Sequence, residues 1–445
     1  MVSANGKAKL IQVPVEPADI ERYRPLLGEP LWSEFSRSMS ELASALHRRT
    51  VWNVNSTAQG GGVAELLVSL IPYGRGAGID ERWVVIEGSA EFFDVTKRLH
   101  NLLHGVSSDG AGFSPAERAT YQSTMERNAS ALADVIKAGD IVIVHDPQSA
   151  GLVPGLSAAG AIVIWRSHVG VDEPNDFVRA AWKLLEPYLD SASAFVFSRR
   201  SYVWDQLDAS KVQIIAPCID AFATKNRELT DAEMARLVAA AGVATDGRIV
   251  LQVSRWDRLK DPLGVMRSFA DHVAPLTTDT CLVLAGPAAT SVRDDPEQPE
   301  VLQELLAQQQ ALDASIASRV LIAQLPMEDL DENAAMVNAL QRRADVVVQK
   351  SLAEGFGLTV AEAMWKSRAV VASDVGGIAD QIEDGTSGLL VEPKDLEAFG
   401  RAVTDLVNDR ELAARMGAAA RERIREQFLG PRHLMQQGSL IRSLL

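Results

Sequence analysis

The sequence has very little cysteine and no long hydrophobic run. Cys218 and Cys281 are the only two cysteines in 445 residues and form no C-x-x-C motif, so there is no disulfide framework. The longest apolar runs, such as residues 141–144 and 161–165, have the length of strands, far below the ~20 residues of a membrane span. The N-terminus shows no cationic stretch followed by an apolar run. We therefore expect a cytoplasmic protein with no membrane partner.

The sequence also has fewer basic residues than acidic ones. Lysine and arginine number 44 against 59 aspartates and glutamates, giving a net charge of −15. This balance argues against a nucleic acid or an anionic membrane as the partner. It leaves room for a small phosphate pocket, which needs only a few local cations and backbone N–H groups. At about 150 residues per domain, the length predicts two or three domains.

The order of elements predicts two doubly wound α/β domains. Short apolar runs alternate with longer helical patterns, which is typical of parallel sheets covered by helices on both faces. The alternation lapses between Pro217 and about Gly247. We predict one domain over residues 1–225, a second over 226–429, and a C-terminal helix over 430–445 that packs back on the first. The predicted strands are residues 50–55, 82–88, 140–146, 161–168, 194–198, 212–217, 248–255, 281–287, 319–324, 345–351, 369–374 and 388–393.

Ligands of such sheets bind outside the carboxyl ends of the strands, and with two domains we expect the site in a cleft between them. The first candidate is the glycine-rich stretch after strand 50–55, with Gly60, Gly61 and Gly62 before a helix. Backbone N–H groups there suit a phosphate or a sugar oxygen. The spacing matches neither G-x-G-x-x-G nor a Walker loop. A simple tight turn is an equal alternative.

Two charged segments follow strands of the second domain. Arg255 and Lys260 lie just after strand 248–255 and could converge on one diphosphate, the alternative being a solvated charged loop. Glu354 and Glu362 lie eight residues apart after strand 345–351, with Gly355 and Gly357 beside the first. Carboxylates accept hydrogen bonds from paired sugar hydroxyls. A helix N-terminal charge could explain one of these glutamates but not the glycine spacing.

Histidines supply the remaining candidates. His145 and Asp146 end a strand and are either cleft residues or a turn pair. His100 and His104 have the spacing of a zinc pair, but no third ligand is evident, so a packed helix face is favoured. No carboxylate cluster for Mg²⁺ is present, and we expect no metal and no cofactor beyond the substrate. Trp256, beside Arg255, is the one tryptophan considered as a sugar platform.

The pair Glu354…Glu362 resembles the Glu, seven residues, Glu signature of retaining glycosyltransferases of family 4, which have the GT-B architecture of two Rossmann-like domains. Seven runs in the same order over about residues 50–395 are similar to trehalose synthases of the glycosyltransferring type. They include VWNVNSTAQGGGVAELLVSLIP, EFFDVTKRLHNLLHG, WRSHVG and LQVSRWDRLKDPLGV. The second of these runs is the most specific, because general members of family 4 lack it.

The resemblance implies roles for individual residues. Arg255 and Lys260 would neutralise the leaving nucleoside diphosphate, Glu354 would hold hydroxyls of the donor sugar, and Glu362 would hold the ribose hydroxyls. His168 would face the donor sugar, and His145 and Asp146 are candidate acceptor contacts. The other implied donor contacts are Gly61 and Gly62 beside the diphosphate and sugar, Gly355, Phe356 and Gly357 as a backbone cradle, and Leu358 and Thr359 at a helix start.

The implied activity is transfer of a hexosyl group, expected to be glucosyl, from a nucleoside-diphosphate sugar to a sugar acceptor, with retention. Three alternatives stay open: a specialised-metabolite acceptor, a disaccharide phosphorylase on the same fold, and a non-catalytic sugar-nucleotide sensor. The chain departs from the trehalose synthases at Gly170, where they have an aspartate, and in the segment 197–207, and its segment 217–226 matches them only partly. The acceptor is therefore less constrained than the donor, and the nucleotide base and a homodimer stay open.

Overall fold

A computed structural model describes residues 8–445 except residues 60, 107–109, 111, 244–246 and 289–296. The chain divides into two compact units, Met1–Cys218 together with Gly430–Leu445, and Ile219–Leu429. Both units are α/β, with a sheet whose strands alternate along the chain with helices. In the part of the chain that the structure describes, no helix is long and apolar enough to cross a membrane.

The first unit is built on a seven-stranded sheet with strand order β1-β3-β2-β4-β5-β6-β7. Every neighbouring pair is parallel except β1 with β3, which is antiparallel. The strands are β1 (Ile11–Val13), β2 (Val51–Asn55), β3 (Glu81–Val85), β4 (Ile141–His145), β5 (Ile162–Ser167), β6 (Ala194–Phe197) and β7 (Val212–Ile214).

Helices cover both faces of this sheet. The helix α1 (Arg24–Ala45) is kinked at Gly28, whose φ of 72° is open to glycine without strain. The C-terminal helix α17 (Gly430–Leu444) packs on α1 and on α2 (Gly61–Gly76). The other helices are α3 (Ala90–Leu103), α4 (Pro115–Leu132), α5 (Asp146–Ser149), α6 (Val153–Ala158) and α7 (Asp176–Leu189).

The two faces of the first sheet differ in polarity because successive side chains of a strand point to opposite faces. One face carries Trp52, Val54, Val142 and Val144, which belong to the large hydrophobic core of this unit. The alternate positions of the same strands carry polar side chains, among them Asn53 and His145, which are also buried. A buried polar row therefore runs along the second face.

The second unit is built on a six-stranded parallel sheet with strand order β10-β9-β8-β11-β12-β13. Its strands are β8 (Arg248–Val253), β9 (Thr280–Pro287), β10 (Val320–Leu325), β11 (Val346–Gln349), β12 (Ala369–Ser373) and β13 (Leu389–Val391). Its helices are α8 (Asp231–Ala240), α9 (Pro262–Ser268), α10 (Glu297–Ala311), α11 (Ala314–Ala317), α12 (Leu330–Arg343), α13 (Leu358–Trp365), α14 (Gly376–Gln381), α15 (Leu396–Asn408) and α16 (Arg410–Gln427).

The two Rossmann-like sheets confirm the predicted fold class. All twelve predicted strands are present, with ends displaced by three residues or fewer. The edge strand β1 was not predicted, because its three residues carry too little apolar pattern. It also makes the first sheet mixed, where a purely parallel sheet was expected.

Candidate active site

A chain of hydrogen bonds links polar side chains across the first sheet, from Glu81 at the amino end of β3 to His145 at the carboxyl end of β4. His145 ends β4, and its Nε2 lies 3.0 Å from Oδ1 of Asn53 on the neighbouring strand β2. Asn53 in turn donates from Nδ2 to Oε1 of Glu81 on β3, at 2.8 Å. On the other side, His145 Nδ1 lies 3.1 Å from Nε2 of His168, which follows β5. The structure thus brings His145 and His168 into direct contact.

Asp146 fixes the backbone of His168. Its φ of 63° lies in the left-handed region, which aspartate adopts more readily than most residues, and its Oδ1 accepts a hydrogen bond from the His168 N–H at 2.7 Å. Burial raises the pKa of Asp146 to about 7. The candidate acceptor pair His145–Asp146 and the candidate donor contact His168 therefore form one cluster.

Burial also sets the protonation of the other groups in this cluster. It lowers the pKa of His145 to about 3 and that of His168 well below its usual value, so both imidazoles are neutral at pH 7. The same effect raises the pKa of Glu81 to about 7, with the Asn53 hydrogen bond opposing it.

Arg166 and His433 extend the polar row toward the C-terminal helix. Arg166, on β5, is 2% exposed and contacts Nε2 of His433 on α17 through Nη1 at 2.8 Å. It also donates to the carbonyl of Ile215 at 3.2 Å. Burial lowers the pKa of Arg166 to about 10, which leaves it charged at pH 7. The last helix of the chain therefore contributes a side chain to the row beneath His168.

The glycine-rich stretch leads from β2 into α2. Gly61 begins the helix with a φ of 79°, and a Cβ atom at Gly61 or Gly62 would meet no atom within 4 Å. Space for a ligand is therefore present above both backbones. Gly60 lies outside the described residues. Asn55, at the end of β2, donates to the carbonyl of Thr57 at 2.7 Å and holds the turn.

In the second unit, Lys260 and Glu354 form an ion pair. The Lys260 Nζ lies 2.5 Å from Glu354 Oε2, and the two side chains are 18% and 12% exposed. Ser351 donates to the same carboxylate oxygen at 3.2 Å. The loops carrying the pair follow β8 and β11, which are adjacent strands, so their carboxyl ends meet at one edge of the sheet. Two residues predicted separately thus belong to one cluster.

The two loops are also tied together at their backbones. The Leu352 N–H donates to the carbonyl of Leu259 at 2.7 Å, and the Gln252 side chain donates to the carbonyl of Lys260 at 2.9 Å. Lys350, 1% exposed, pairs with Asp261, which also caps the start of α9. A buried charge is tolerated when it is paired in this way. The position of Lys260 is therefore fixed on both sides.

Three neighbours in this loop differ from Lys260 in their surroundings. The Arg255 side chain is 59% exposed and lies 3.2 Å from Asp257. Arg258 is held by carboxylates of α10, with Glu304 at 2.8 Å. Trp256 is 1% exposed, donates to the carbonyl of Pro287 and belongs to the hydrophobic core. The idea of Trp256 as a sugar platform is therefore wrong, because its ring is buried.

The glycine loop places backbone groups at the start of α13. Gly357 precedes the helix with a φ of 85°, and the Gly355 carbonyl accepts from the Gly377 N–H at 3.0 Å. The Phe356 ring packs 5.8 Å from that of Phe428, so only its backbone suits a ligand cradle. Leu358 and Thr359 form the first turn. Thr359 Oγ1 donates to Gln349 at 3.0 Å, which leaves the backbone N–H groups as the candidate phosphate contacts.

Glu362 lies one turn further along α13 and is 2% exposed. Its carboxylate is 3.9 Å from the Nζ of Lys225, and its backbone carbonyl accepts from the buried Lys366 Nζ at 3.0 Å. Burial lowers the pKa of Lys366 to about 7, opposed by Glu362. Lys366 is further held by Asn226 and Gln341, at 3.0 and 2.8 Å. These contacts fix the helix that carries Glu362.

Gly170 contacts the segment 197–207, another of the stretches that depart from the resembled family. A Cβ atom at Gly170 would lie 2.5 Å from Cγ of Tyr202, so the tyrosine ring covers this glycine. Two residues further on, Asp172 pairs with Arg199 at 3.0 Å and accepts from Ser201 at 2.6 Å. Gly170 and the segment 197–207 therefore pack against each other, and Gly170 lies two residues from His168 in the chain.

His100 and His104 contact each other by their ring edges, with centroids 4.6 Å apart. Burial lowers the pKa of His100 to about 4. Among the described residues, no group of three histidine, cysteine or acidic side chains could hold a metal ion.

Sequence reasoning missed Asn53, Glu81, Arg166 and His433. A signal for the first was available, since polar Asn53 and Asn55 alternate with Trp52 and Val54 in a strand otherwise predicted to be apolar. No sequence signal pointed to His433, because α17 meets β5 only in the folded chain. His433 and its partner Arg166 are 267 residues apart in sequence.

Comparison with known proteins identifies both halves of the chain. Residues 53–204 match the trehalose synthase N-terminal domain, and residues 235–423 match the glycosyl transferases group 1. The trehalose synthase of Rubrobacter xylanophilus is 37% identical, over 95% of this chain and 96% of that relative. The trehalose phosphorylase of Grifola frondosa is 26% identical over 96% of this chain, which spans 60% of that relative.

A solved structure shares the fold. An α,α-trehalose-phosphate synthase (UDP-forming) from Burkholderia xenovorans, in complex with glucose-6-phosphate, superposes with a TM-score of 0.69. It is 15% identical and covers 89% of this chain and 99% of its own. At that identity the likeness shows the fold, which is the GT-B fold.

Proposed function

We propose, from the premise that this chain belongs to the trehalose synthase family of group 1 glycosyl transferases, that it transfers glucose from a nucleoside-diphosphate glucose to free glucose. The products are trehalose and the nucleoside diphosphate. The membership makes the chain a glycosyltransferase of trehalose-related chemistry. The donor, the acceptor and the residue roles are our proposal.

The observation that carries the proposal is the Lys260–Glu354 pair beside the start of α13, with its 2.5 Å contact. A lysine, a carboxylate and helix N-terminal N–H groups within one cluster match the needs of a sugar diphosphate. In the proposed complex, Glu354 accepts hydrogen bonds from donor sugar hydroxyls, and Lys260 turns to the diphosphate. Arg255, exposed in the same loop, adds a second cation.

The proposed reaction needs no protein nucleophile. The bond between C1 of the donor glucose and the diphosphate oxygen breaks, and a bond from C1 to the acceptor hydroxyl oxygen forms. The acceptor proton passes to the departing phosphate oxygen. Lys260, Arg255 and the N–H groups of Leu358 and Thr359 stabilise the charge that develops on the diphosphate. Retention at C1 belongs to this proposal.

The first unit supplies the remaining proposed contacts. His168 faces the donor sugar, His145 and Asp146 serve the acceptor side, and Gly61 and Gly62 lie beside the diphosphate. Support for a sugar ligand here comes from the neutral imidazoles and the buried carboxyl of Asp146. Neutral polar groups exchange hydrogen bonds with hydroxyls at lower desolvation cost than charged ones.

A trehalose phosphorylase is the second candidate, favoured by the 26% identity to the Grifola frondosa protein. Inorganic phosphate would then replace the nucleotide. A buried Glu362 with Lys225 beside its carboxylate is better suited to ribose hydroxyls, for which a phosphorylase has no use. We therefore rank the nucleotide-dependent reaction first.

One experiment separates these functions. The protein is incubated with UDP-, ADP-, GDP- and TDP-glucose and with glucose in phosphate-free buffer, and released nucleoside diphosphate is quantified. The proposal predicts release that depends on added glucose. A phosphorylase instead consumes trehalose only when phosphate is supplied, and a sensor binds a nucleotide sugar without turnover. Glucose-dependent release of nucleoside diphosphate without trehalose formation, or a preference for another acceptor, would show that glucose is not the acceptor in a trehalose-forming reaction.

A further inference from the structure

The hydrogen-bond chain of the first unit crosses four neighbouring strands and ends at one half-buried side chain. It runs from Glu81 on β3 through Asn53 on β2 and His145 on β4 to His168 after β5. Glu81, Asn53 and His145 are 4%, 2% and 3% exposed. His168 is half-buried, so it is the end of the chain that a substrate can reach.

The chain determines which nitrogen of each histidine carries the proton. The Asn53 Oδ1 can only accept, so the His145 Nε2 at 3.0 Å carries a hydrogen. A neutral imidazole has one N–H, which makes the His145 Nδ1 an acceptor. The His168 Nε2, 3.1 Å away, must then donate. The remaining nitrogen of His168, Nδ1, therefore holds a lone pair.

The orientation of the Asn53 amide decides this assignment, and the Glu81 carboxylate fixes that orientation when it is ionised, because it can then only accept. Asn53 Nδ2 donates to Glu81 Oε1 at 2.8 Å. The opposite amide orientation would place Oδ1 against the carboxyl and would reverse every donor along the chain. Glu81 also fits tightly, because a Cβ atom at Gly74 would lie 2.1 Å from its Oε2. Glycine at this point in α2 leaves the space that the carboxyl occupies.

We propose that Glu81 and Asn53 are positioning residues that, through His145, hold His168 in the tautomer protonated on Nε2. The Nδ1 of His168 then accepts a hydrogen bond from a hydroxyl of the bound sugar. The statement about the sugar rests on the proposed function, whereas the statement about the tautomer does not.

The direct test is long-range ¹H–¹⁵N NMR of the histidine rings at pH 8, above the Glu81 pKa of about 7, which reports which ring nitrogen is protonated. The chain has seven histidines, and a His168→Gln variant assigns the signal. Wild type is expected to show His168 with its hydrogen on Nε2. In Glu81→Leu, Asn53 loses the acceptor that fixes its amide, so both His168 tautomers should appear. Glu81→Gln keeps an acceptor oxygen and should recover most of the wild-type signal. Glu34→Leu, on the exposed surface of α1, is the matched control.

Kinetics supply the second measurement. Glu81→Leu should lower kcat/KM in proportion to the fraction of His168 that is no longer protonated on Nε2, by about twofold if the two tautomers are equally populated and up to about tenfold if the productive one is nearly lost, with Glu81→Gln closer to wild type. A wild-type His168 protonated on Nδ1, or a folded Glu81→Leu with an unchanged His168 tautomer, overturns the proposal. If Glu81→Leu does not fold, the wild-type tautomer alone decides. If the protein shows the expected tautomers but transfers no glucose, the positioning role of Glu81 and Asn53 is supported and the proposed function is rejected.

Discussion

Lys260 and Glu354 are 94 residues apart in the chain, yet their charged groups lie 2.5 Å apart. The pair is mostly shielded from water, and the adjacent strands β8 and β11 bring its two loops together. An ion pair in such a position is poised to exchange partners, since a sugar diphosphate offers hydroxyls to the carboxylate and phosphate oxygens to the lysine.

Substitution of Lys260 or Arg255 by alanine should lower the turnover number by about a hundredfold or more. Each cation stabilises charge that develops on the diphosphate as the sugar leaves, and single groups of this kind are typically worth 10²–10³ in rate. Steady-state kinetics with saturating donor and acceptor measure the effect.

Arg258→Ala is the matched control for this prediction. Arg258 lies in the same loop, but its guanidinium is held by Glu297, Glu300 and Glu304. Its loss should leave turnover within about twofold, as expected for exposed ion pairs. Near-wild-type rates for Lys260→Ala and Arg255→Ala would contradict the assignment of the leaving-group site.

Glu362→Gln should raise KM for the nucleotide sugar about tenfold with little change in kcat. The proposed ribose contact is made equally in the ground and transition states, so its loss weakens binding alone. Glu397→Gln, in an exposed pair with Arg401 on α15, serves as control. An unchanged KM in a correctly folded Glu362→Gln would exclude the ribose role.

Gly170→Ala should reduce the free energy of unfolding by about 1–3 kcal/mol. The added methyl group would lie 2.5 Å from the Tyr202 ring, and overpacking a filled site carries a cost of this size. Urea denaturation measures it, with Gly62→Ala as control because a Cβ atom there meets no atom within 4 Å. The combination with Tyr202→Gly, which removes the Cβ atom at 2.6 Å as well as the ring, should relieve the clash; a single Gly170→Ala with wild-type stability would argue against the packing.

The pH dependence of stability should change in Glu81→Gln. Burial raises the folded-state pKa of Glu81 from 4.5 to about 7, so its stabilising contribution is complete below pH 4.5 and is lost as the pH rises to about 7. The difference corresponds to about 3 kcal/mol. The free energy of unfolding of Glu81→Gln, measured relative to wild type, should therefore increase between pH 5 and pH 8. A difference that stays constant over this range would show that Glu81 is not buried as a neutral acid.

Much of the fold was predictable from the sequence because parallel strands buried on both faces are continuous apolar runs. The strand β11, with three consecutive valines, is a clear example. The loop residues Lys260 and Glu354 were predictable as candidates, since each follows a strand. Their direct pairing was not, because it depends on which strands are neighbours.

The polar row of the first unit was harder to predict. Asn53 and Glu81 look like strand residues facing solvent, and only the helix α2, with Gly74 against the carboxyl, reveals that they are buried. Arg166 and His433 meet through tertiary packing that no local pattern records. The direction of the Trp256 ring was not predictable either: its position beside Arg255 left a sugar platform open, whereas the ring enters the core.

The central claim is tested most directly by the identity of the product. The protein is supplied, in phosphate-free buffer, with unlabelled glucose and with UDP-glucose that carries ¹³C at C1 of the glucosyl group. The product is followed by NMR. The other nucleoside-diphosphate glucoses are tested in the same way. The account predicts a trehalose labelled in one ring, with an α-configured C1, and one nucleoside diphosphate released per trehalose. No trehalose from any of these donors, or trehalose turnover only in the presence of phosphate, would contradict it.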